Sequence, residues 1–165
     1  MRITADAIPS EPAELRAWRD RTLFRLLLRA TRVETTATLE RIHRLGYADV
    51  TLAYMSLLAN LDTEGATISA LARRAGITRQ AASQQLAEIE ARGYVSRTPD
   101  PADSRAVLIR QTPKGRALLG AALDIVAGLE ADYARELGVA ELDALKDALQ
   151  RLLGRVDPTG VLGRD

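Results

Sequence analysis

The chain has 165 residues, 47% of them hydrophobic and 27% charged, with a formal net charge of +1; that balance fits a folded chain of one domain or two small lobes and excludes a disordered one. It has no cysteine, which excludes a disulfide framework, a thiol redox switch and a cysteine nucleophile. No apolar run approaches ~18 residues, which excludes a membrane-spanning helix, and no apolar signal core precedes Pro9, so a cytoplasmic protein is expected.

Aromatic residues make up only 4% while alanine and leucine abound, a bias toward helix. Residues 1–9 read as a loose tail. A long helix is expected from about Ser10-Glu11-Pro12 to Leu45, with Leu15, Trp18, Leu26, Ala30, Val33 and Ala37 on one face and Gly46 ending it. At 1.5 Å per residue it would be about 50 Å long. That is more than one small core needs, so part of it is expected to pack on another subunit. Its eight arginines between Arg16 and Arg44 read as a solvated face or intersubunit ion pairs rather than a DNA surface. Asp49 can cap the next helix. There Val50, Tyr54, Leu57, Leu58 and Leu61 recur at helical spacing, as an amphipathic support helix does. Asp62-Thr63-Glu64-Gly65 is a turn.

From Ala66 to Gly115 the pattern is helix, tight turn, helix, hairpin. Thr67 can cap the first helix, which carries Ile68, Leu71, Ala72 and Ala75 on one face. Gly76 ends it in the left-handed conformation. Ile77 is expected to be a buried plug, and Thr78 to cap the second helix. Ala82, Leu86 and Ile89 form that helix's apolar face, while Arg79, Gln80, Ser83 and Gln84 form a polar one. Gly93 closes it. Two helices joined so tightly read as a helix-turn-helix, whose second helix is the one that enters the DNA major groove. Tyr94-Val95-Ser96-Arg97 reads as a strand, Pro99 to Ser104 as a turn-rich tip, and Arg105 to Arg110 as the returning strand. Thr112-Pro113 then starts a helix to about Leu137, with Leu118, Ala122, Ile125, Leu129 and Tyr133 on one stripe. Gly138 breaks it. A last helix from about Ala140 to Arg155 carries Leu142, Leu145, Leu149, Leu152 and Val156 at 3-4-3-4 spacing, a coiled-coil-like seam. These stripes need a cover, either within the chain or from a second copy.

The run LARRAGITRQAASQQLAEIEARGYVSRTPDPADSRAVLIRQTPKG resembles the MarR family of bacterial transcriptional regulators. Leu71-Ala72, the Gly93-Tyr94-Val95 step, Arg97, the wing Asp100-Pro101-Ala102-Asp103-Ser104-Arg105 and Thr112-Pro113-Lys114-Gly115 carry the resemblance. Gln85 and Gln111 depart from it, standing where the family is usually apolar. The resemblance implies a winged helix-turn-helix, with terminal helices that interlock into a homodimer. It also implies a small aromatic or anionic effector bound between the dimer lobe and the DNA lobe. Trp18, Tyr47 and Tyr54 are the candidate liners of such a site, although such residues are more often ordinary core.

Charge is distributed to match. From Ala66 to Arg116 nine Lys and Arg stand against four acids, a local charge of +5 that leaves −4 for the rest of the chain. A basic segment in an acidic chain is the footprint of a phosphate-binding surface. Within it, arginine can read guanine and glutamine can read adenine, so Thr78, Arg79, Gln80, Ser83 and Gln84 are the candidate base-reading set. Arg73, Arg74 and Arg97 are candidates for phosphate, with a solvated helix face the alternative for Arg73 and Arg74. Arg105 resembles the family's wing arginine, which enters the minor groove, and Asp103 can orient it. An enzyme reading finds little: one histidine, His43, no cysteine and no glycine-rich phosphate loop after a strand. No catalytic site, metal or cofactor is expected.

The fold class expected is mainly α with a small β-hairpin wing. Residues 1–47 would form an N-terminal dimerisation helix, 48–116 the winged helix-turn-helix and 117–165 the C-terminal dimerisation helices. The function expected is a homodimeric transcriptional regulator on a pseudo-palindromic operator, acting as a repressor released by a small molecule, with no membrane partner. The alternative is a winged-helix protein–protein interaction module without specific DNA binding.

Overall fold

A computed structural model describes residues 11–100 and 107–157 of the chain. All but the last of its described helices begin where proline or a side-chain oxygen serves the first turn. Proline opens α1 (Pro12–Asp20). α2 (Leu23–Arg44) starts anew after Arg21 and Thr22, so the single long helix expected from the sequence is two. The break has a local cause. Thr22 Oγ1 donates to the Arg19 carbonyl at 2.8 Å and accepts from the Arg25 N–H at 3.4 Å, so one hydroxyl both ends a helix and begins the next.

Thr51, not Asp49, caps α3 (Leu52–Ala59), accepting from the Tyr54 N–H. Asp49 is instead engaged by Tyr94, whose hydroxyl donates to its carboxylate at 2.7 Å. Thr67 caps α4 (Ile68–Arg74) and Thr78 caps α5 (Arg79–Ala91), as expected. Gly76 takes φ +66° in the turn between them, a conformation that favours glycine. Ile77 is half-buried rather than a buried plug.

The hairpin is β1 (Val95–Pro99) and β2 (Val107–Gln111), antiparallel, with Val95 opposite Gln111 and Pro99 opposite Val107. Ala66 adds a third position outside β2. Its N–H and carbonyl bond to Ile109 at 3.0 and 2.9 Å. Gly65 makes that approach possible, because a Cβ there would stand 2.8 Å from the Ile109 oxygen.

Thr112 caps α6 (Pro113–Leu137), and Gly138 separates it from α7 (Val139–Val156). The start of α6 is fastened to the end of α5. Thr112 Oγ1 donates to the Gly93 carbonyl at 2.6 Å, and the Thr112 N–H to the Tyr94 carbonyl at 3.1 Å. Lys114 Nζ donates to the Arg92 carbonyl at 2.8 Å. Gly115 completes the contact, since a Cβ there would overlap the Tyr94 carbonyl. The Thr-Pro-Lys-Gly run is therefore a fastening: it supplies partners to carbonyls that the end of a helix leaves without any.

The chain divides into two compact units, one up to Ala37 and one from Thr38. None of the described residues of the first is buried, and Phe24, Leu26, Leu28 and Val33 are exposed there. The second has a core built on Ile42, Leu57, Leu71, Leu86, Ile89, Tyr94 and Ile109, to which α6 adds Leu118, Ile125 and Leu129. Arg41 reaches Asp132 at 3.1 Å and so ties the end of α2 to α6, while Lys146 and Glu130 pair at 3.0 Å between α7 and α6. α7 buries no residue at all, and its Leu145, Leu153 and Val156 are 50%, 58% and 68% exposed.

Candidate nucleic-acid interface

α4 and α5 owe their relation to small and branched apolar residues. Leu71 and Ala72 on α4 and Ala82, Leu86 and Ile89 on α5 are buried. Ala82 is fully buried, and so small a side chain allows the helices to approach closely. With that face turned inward, the opposite face of α5 must look out. Arg79, Gln80 and Gln84 are exposed and Ser83 is half-buried. With Ala87 they line one open surface, set by positions i, i+1, i+4, i+5 and i+8 on the helix.

The chemistry of this surface suits the edges of bases. Arginine offers a planar fork of donors, each glutamine offers donors and an acceptor, and serine offers both. Among the described residues no side-chain hydrogen bond or ion pair engages any of the four. Thr78 is spent on its cap, accepting from the Ala81 N–H at 3.1 Å; its own hydroxyl proton stays able to donate outward.

The other candidates are placed differently. Arg73 is exposed on the last turn of α4. Arg74 turns back onto the segment before α4: Nη1 donates to Asp62 Oδ2 at 2.5 Å and to the Asn60 carbonyl at 3.1 Å. Arg97, on β1, pairs with Glu90 of α5 at 2.8 Å and braces the wing on the helix. Asp103 and Arg105 lie outside the described residues. Of the two positions that depart from the family pattern, Gln85 is half-buried and Gln111 Nε2 donates to the Leu61 carbonyl at 3.5 Å. Tyr54 is buried in the core and Tyr47 packs near Tyr94, with ring centres 6.3 Å apart. Trp18 belongs to the first unit and is partly exposed.

Sequence reasoning missed a polar group behind this surface, at the far end of α5. Tyr94 is fully buried except that its hydroxyl reaches Asp49. Burial, and then the bond to Asp49, raises the Tyr94 pKa; the same bond, aided by Lys114 and Arg92, lowers that of Asp49. Tyr54 donates to Glu88 at 2.9 Å, and its pKa is raised by burial first. Arg92 lies 3.8 Å from Asp49 and 5.3 Å from the centre of the Tyr54 ring, while Lys114 lies 4.1 Å from that of Tyr94. No local pattern announces the group, since Asp49 and Tyr94 stand 45 residues apart.

Among the described residues no group of three or more His, Cys, Asp or Glu could hold a metal ion, and no helix is long and apolar enough to cross a membrane.

A family model described as MarR family matches residues 48–106. The chain is 33% identical over 109 residues to an uncharacterized HTH-type transcriptional regulator of Mycobacterium bovis, a match covering 66% of this chain and 76% of that protein. Among solved structures it is similar to the transcriptional repressor CouR bound to a 23-mer DNA duplex. That match has 31% identity and a TM-score of 0.65, over 81% of this chain and 93% of that one. It is also similar to CouR from Rhodococcus jostii RHA1 bound to p-coumaroyl-CoA, at 25% identity and a TM-score of 0.67, over 85% of this chain and 95% of that one.

Proposed function

Since the chain belongs to the MarR family of transcriptional regulators, we propose that it is a sequence-specific DNA-binding repressor, working as a homodimer and released from its operator by a small molecule. The observation that carries the DNA reading is the α5 face of Arg79, Gln80, Ser83 and Gln84. It is outward and polar, and among the described residues its side chains have no partners, on a helix whose other face is locked into the core. Arg73 and Thr78 flank that face and suit phosphates. Arg74 and Arg97 would join them only by leaving Asp62 and Glu90, so in this reading they brace the unit. Arg105 is assigned to the minor groove beside the wing, with Asp103 aiming it.

The dimer reading is supported by the bare apolar surface of α7 and of the first unit, which a second copy would cover. A twofold dimer places two α5 helices on half-sites about one helical turn apart, so the operator would be pseudo-palindromic. The effector is assigned small aromatic or anionic chemistry; CouR, a relative, is known bound to p-coumaroyl-CoA. Release then requires the ligand to prefer a dimer geometry that no longer matches the half-sites. Its affinity must fall in the presence of operator by the factor through which it weakens the operator.

In vitro selection of duplexes from a random library on the full-length protein tests this reading. The expected product is one enriched motif with inverted repeats, bound at least about a hundredfold more tightly than random duplex. Failure to enrich any motif would return the fold to a protein–protein adaptor.

A further inference from the structure

The Arg79–Gln84 face lies at one end of α5, and the Asp49–Tyr94 group lies at the other. That group joins four parts of the fold. Asp49 comes from the link between α2 and α3, Tyr54 from α3, Glu88 from α5 with Arg92 just past its end, and Lys114 from the first turn of α6. Two carboxylates face two cations across two phenols. Arg92 is held from both sides, by Asp49 on its guanidinium and by Lys114 on its carbonyl. Asp49 itself is a half-exposed side chain, 39% accessible. Its removal would leave no cavity, and an ion pair so exposed adds little to stability. What Asp49 does determine is direction: the points to which it is joined are the end of α5 and the residue leading into β1.

We propose that Asp49 is a positioning residue for DNA recognition, holding the Tyr94 hydroxyl and the Arg92 guanidinium and through them setting the angle at which α5 presents Arg79, Gln80 and Gln84. The proposal rests on the DNA-binding reading above. Leverage makes the angle matter. Thirteen residues of helix span about 20 Å, so a tilt of about 10° at the held end moves the other by about 3 Å. Hydrogen bonds to base edges tolerate only about 0.5 Å. Phosphate contacts, made by long side chains to a continuous backbone, survive such a shift. Loss of Asp49 should therefore remove discrimination between sequences and spare general affinity for DNA.

The test uses full-length Asp49→Ala, Tyr94→Phe, their double variant and Asp49→Asn, which keeps an oxygen for the Tyr94 hydroxyl. Affinity is measured by anisotropy for a duplex selected on the wild-type protein and for a random duplex, at several salt concentrations. Amide exchange at Arg92, Gly93 and Tyr94 is followed in the free proteins. Asp49→Ala and Tyr94→Phe should each weaken the selected duplex about tenfold and random duplex less than about twofold, with the salt slope unchanged. The double variant should be no worse than either single one, Asp49→Asn should recover most of the loss, and exchange at the end of α5 should quicken in both single variants. Unchanged specific affinity, equal loss on both duplexes, additive losses, or an Asp49→Asn as weak as Asp49→Ala would each overturn the proposal. Should Asp49→Ala fail to fold, Tyr94→Phe and Asp49→Asn decide it by the same readings. A wild-type protein that selects no duplex refutes the DNA reading, while the exchange rates report on the clamp by themselves.

Discussion

Two glycines of α6 make a matched pair for testing how this helix is seated. Gly115 and Gly120 share one helix, and both would become alanine. At Gly120 an added Cβ meets nothing within 4 Å, so Gly120→Ala should stabilise by about 0.5–1 kcal/mol through helix propensity. At Gly115 the same methyl would overlap the Tyr94 carbonyl oxygen and sit 3.1 Å from its carbon. Both are backbone atoms of the residue leading into β1, held by the Thr112 N–H and unable to swing aside. Overpacking of this kind costs about 1–3 kcal/mol. If α6 backs away, the Thr112 bonds to Gly93 and Tyr94 weaken as well, at about 1 kcal/mol each. Subtracting the propensity gain leaves a loss of about 2–4 kcal/mol. Urea denaturation followed by circular dichroism, at one fixed protein concentration because the proposed dimerisation would add to apparent stability, reads the difference. With a slope of about 2 kcal/mol per molar, the midpoint of Gly115→Ala should fall by about 1–2 M and that of Gly120→Ala should rise slightly. A Gly115→Ala midpoint equal to or above wild type would refute the seating described for α6.

Arg79→Ala or Gln84→Ala should cost about 1–3 kcal/mol on a selected duplex wherever the side chain reads a base, and much less on random duplex; equal losses on both would make the residue a phosphate contact. Asp49 gives a pH prediction. Its folded pKa lies below the ordinary 3.8, chiefly because of the Tyr94 hydroxyl, so its stabilisation is present above that value and is lost as pH falls through the folded pKa. Asp49→Asn should accordingly flatten the fall of the urea midpoint below about pH 4, and an unchanged acid limb would sink the assignment. Truncation after Gly138 removes α7 and its exposed leucines, and should turn the dimer into monomer in light scattering. A truncated dimer would place the interface elsewhere.

What the sequence disclosed was local. Thr67, Thr78 and Thr112 cap as read, because a cap involves an acceptor and an N–H three residues apart. The buried faces of α3 and α5 and the strands of the wing followed from spacing in the same way. Competition between neighbours was less legible. Asp49 and Thr51 are both able to cap α3, and the choice is made by a tyrosine far along the chain that takes the aspartate. The break at Thr22 carries no proline or glycine to announce it. In the candidate site, the polar face of α5 was visible as a pattern of residue types. The engagement of Arg74 with Asp62 and of Arg97 with Glu90 was not, because it depends on how turns return side chains across space.

The bridge from Ala66 to Ile109 bears on how this protein behaves at high concentration. A two-stranded ribbon has two open edges, each a template on which a strand of another molecule can assemble. Ala66 occupies the middle of one edge, using both hydrogen-bonding groups that Ile109 turns outward. On the opposite strand, Pro99 has no N–H to offer and Arg97 brings a charge. Among the described residues neither edge of the hairpin presents an unbroken run for intermolecular pairing. The hairpin is thereby guarded against pairing with another copy, and one left-handed glycine, Gly65, makes that guard possible.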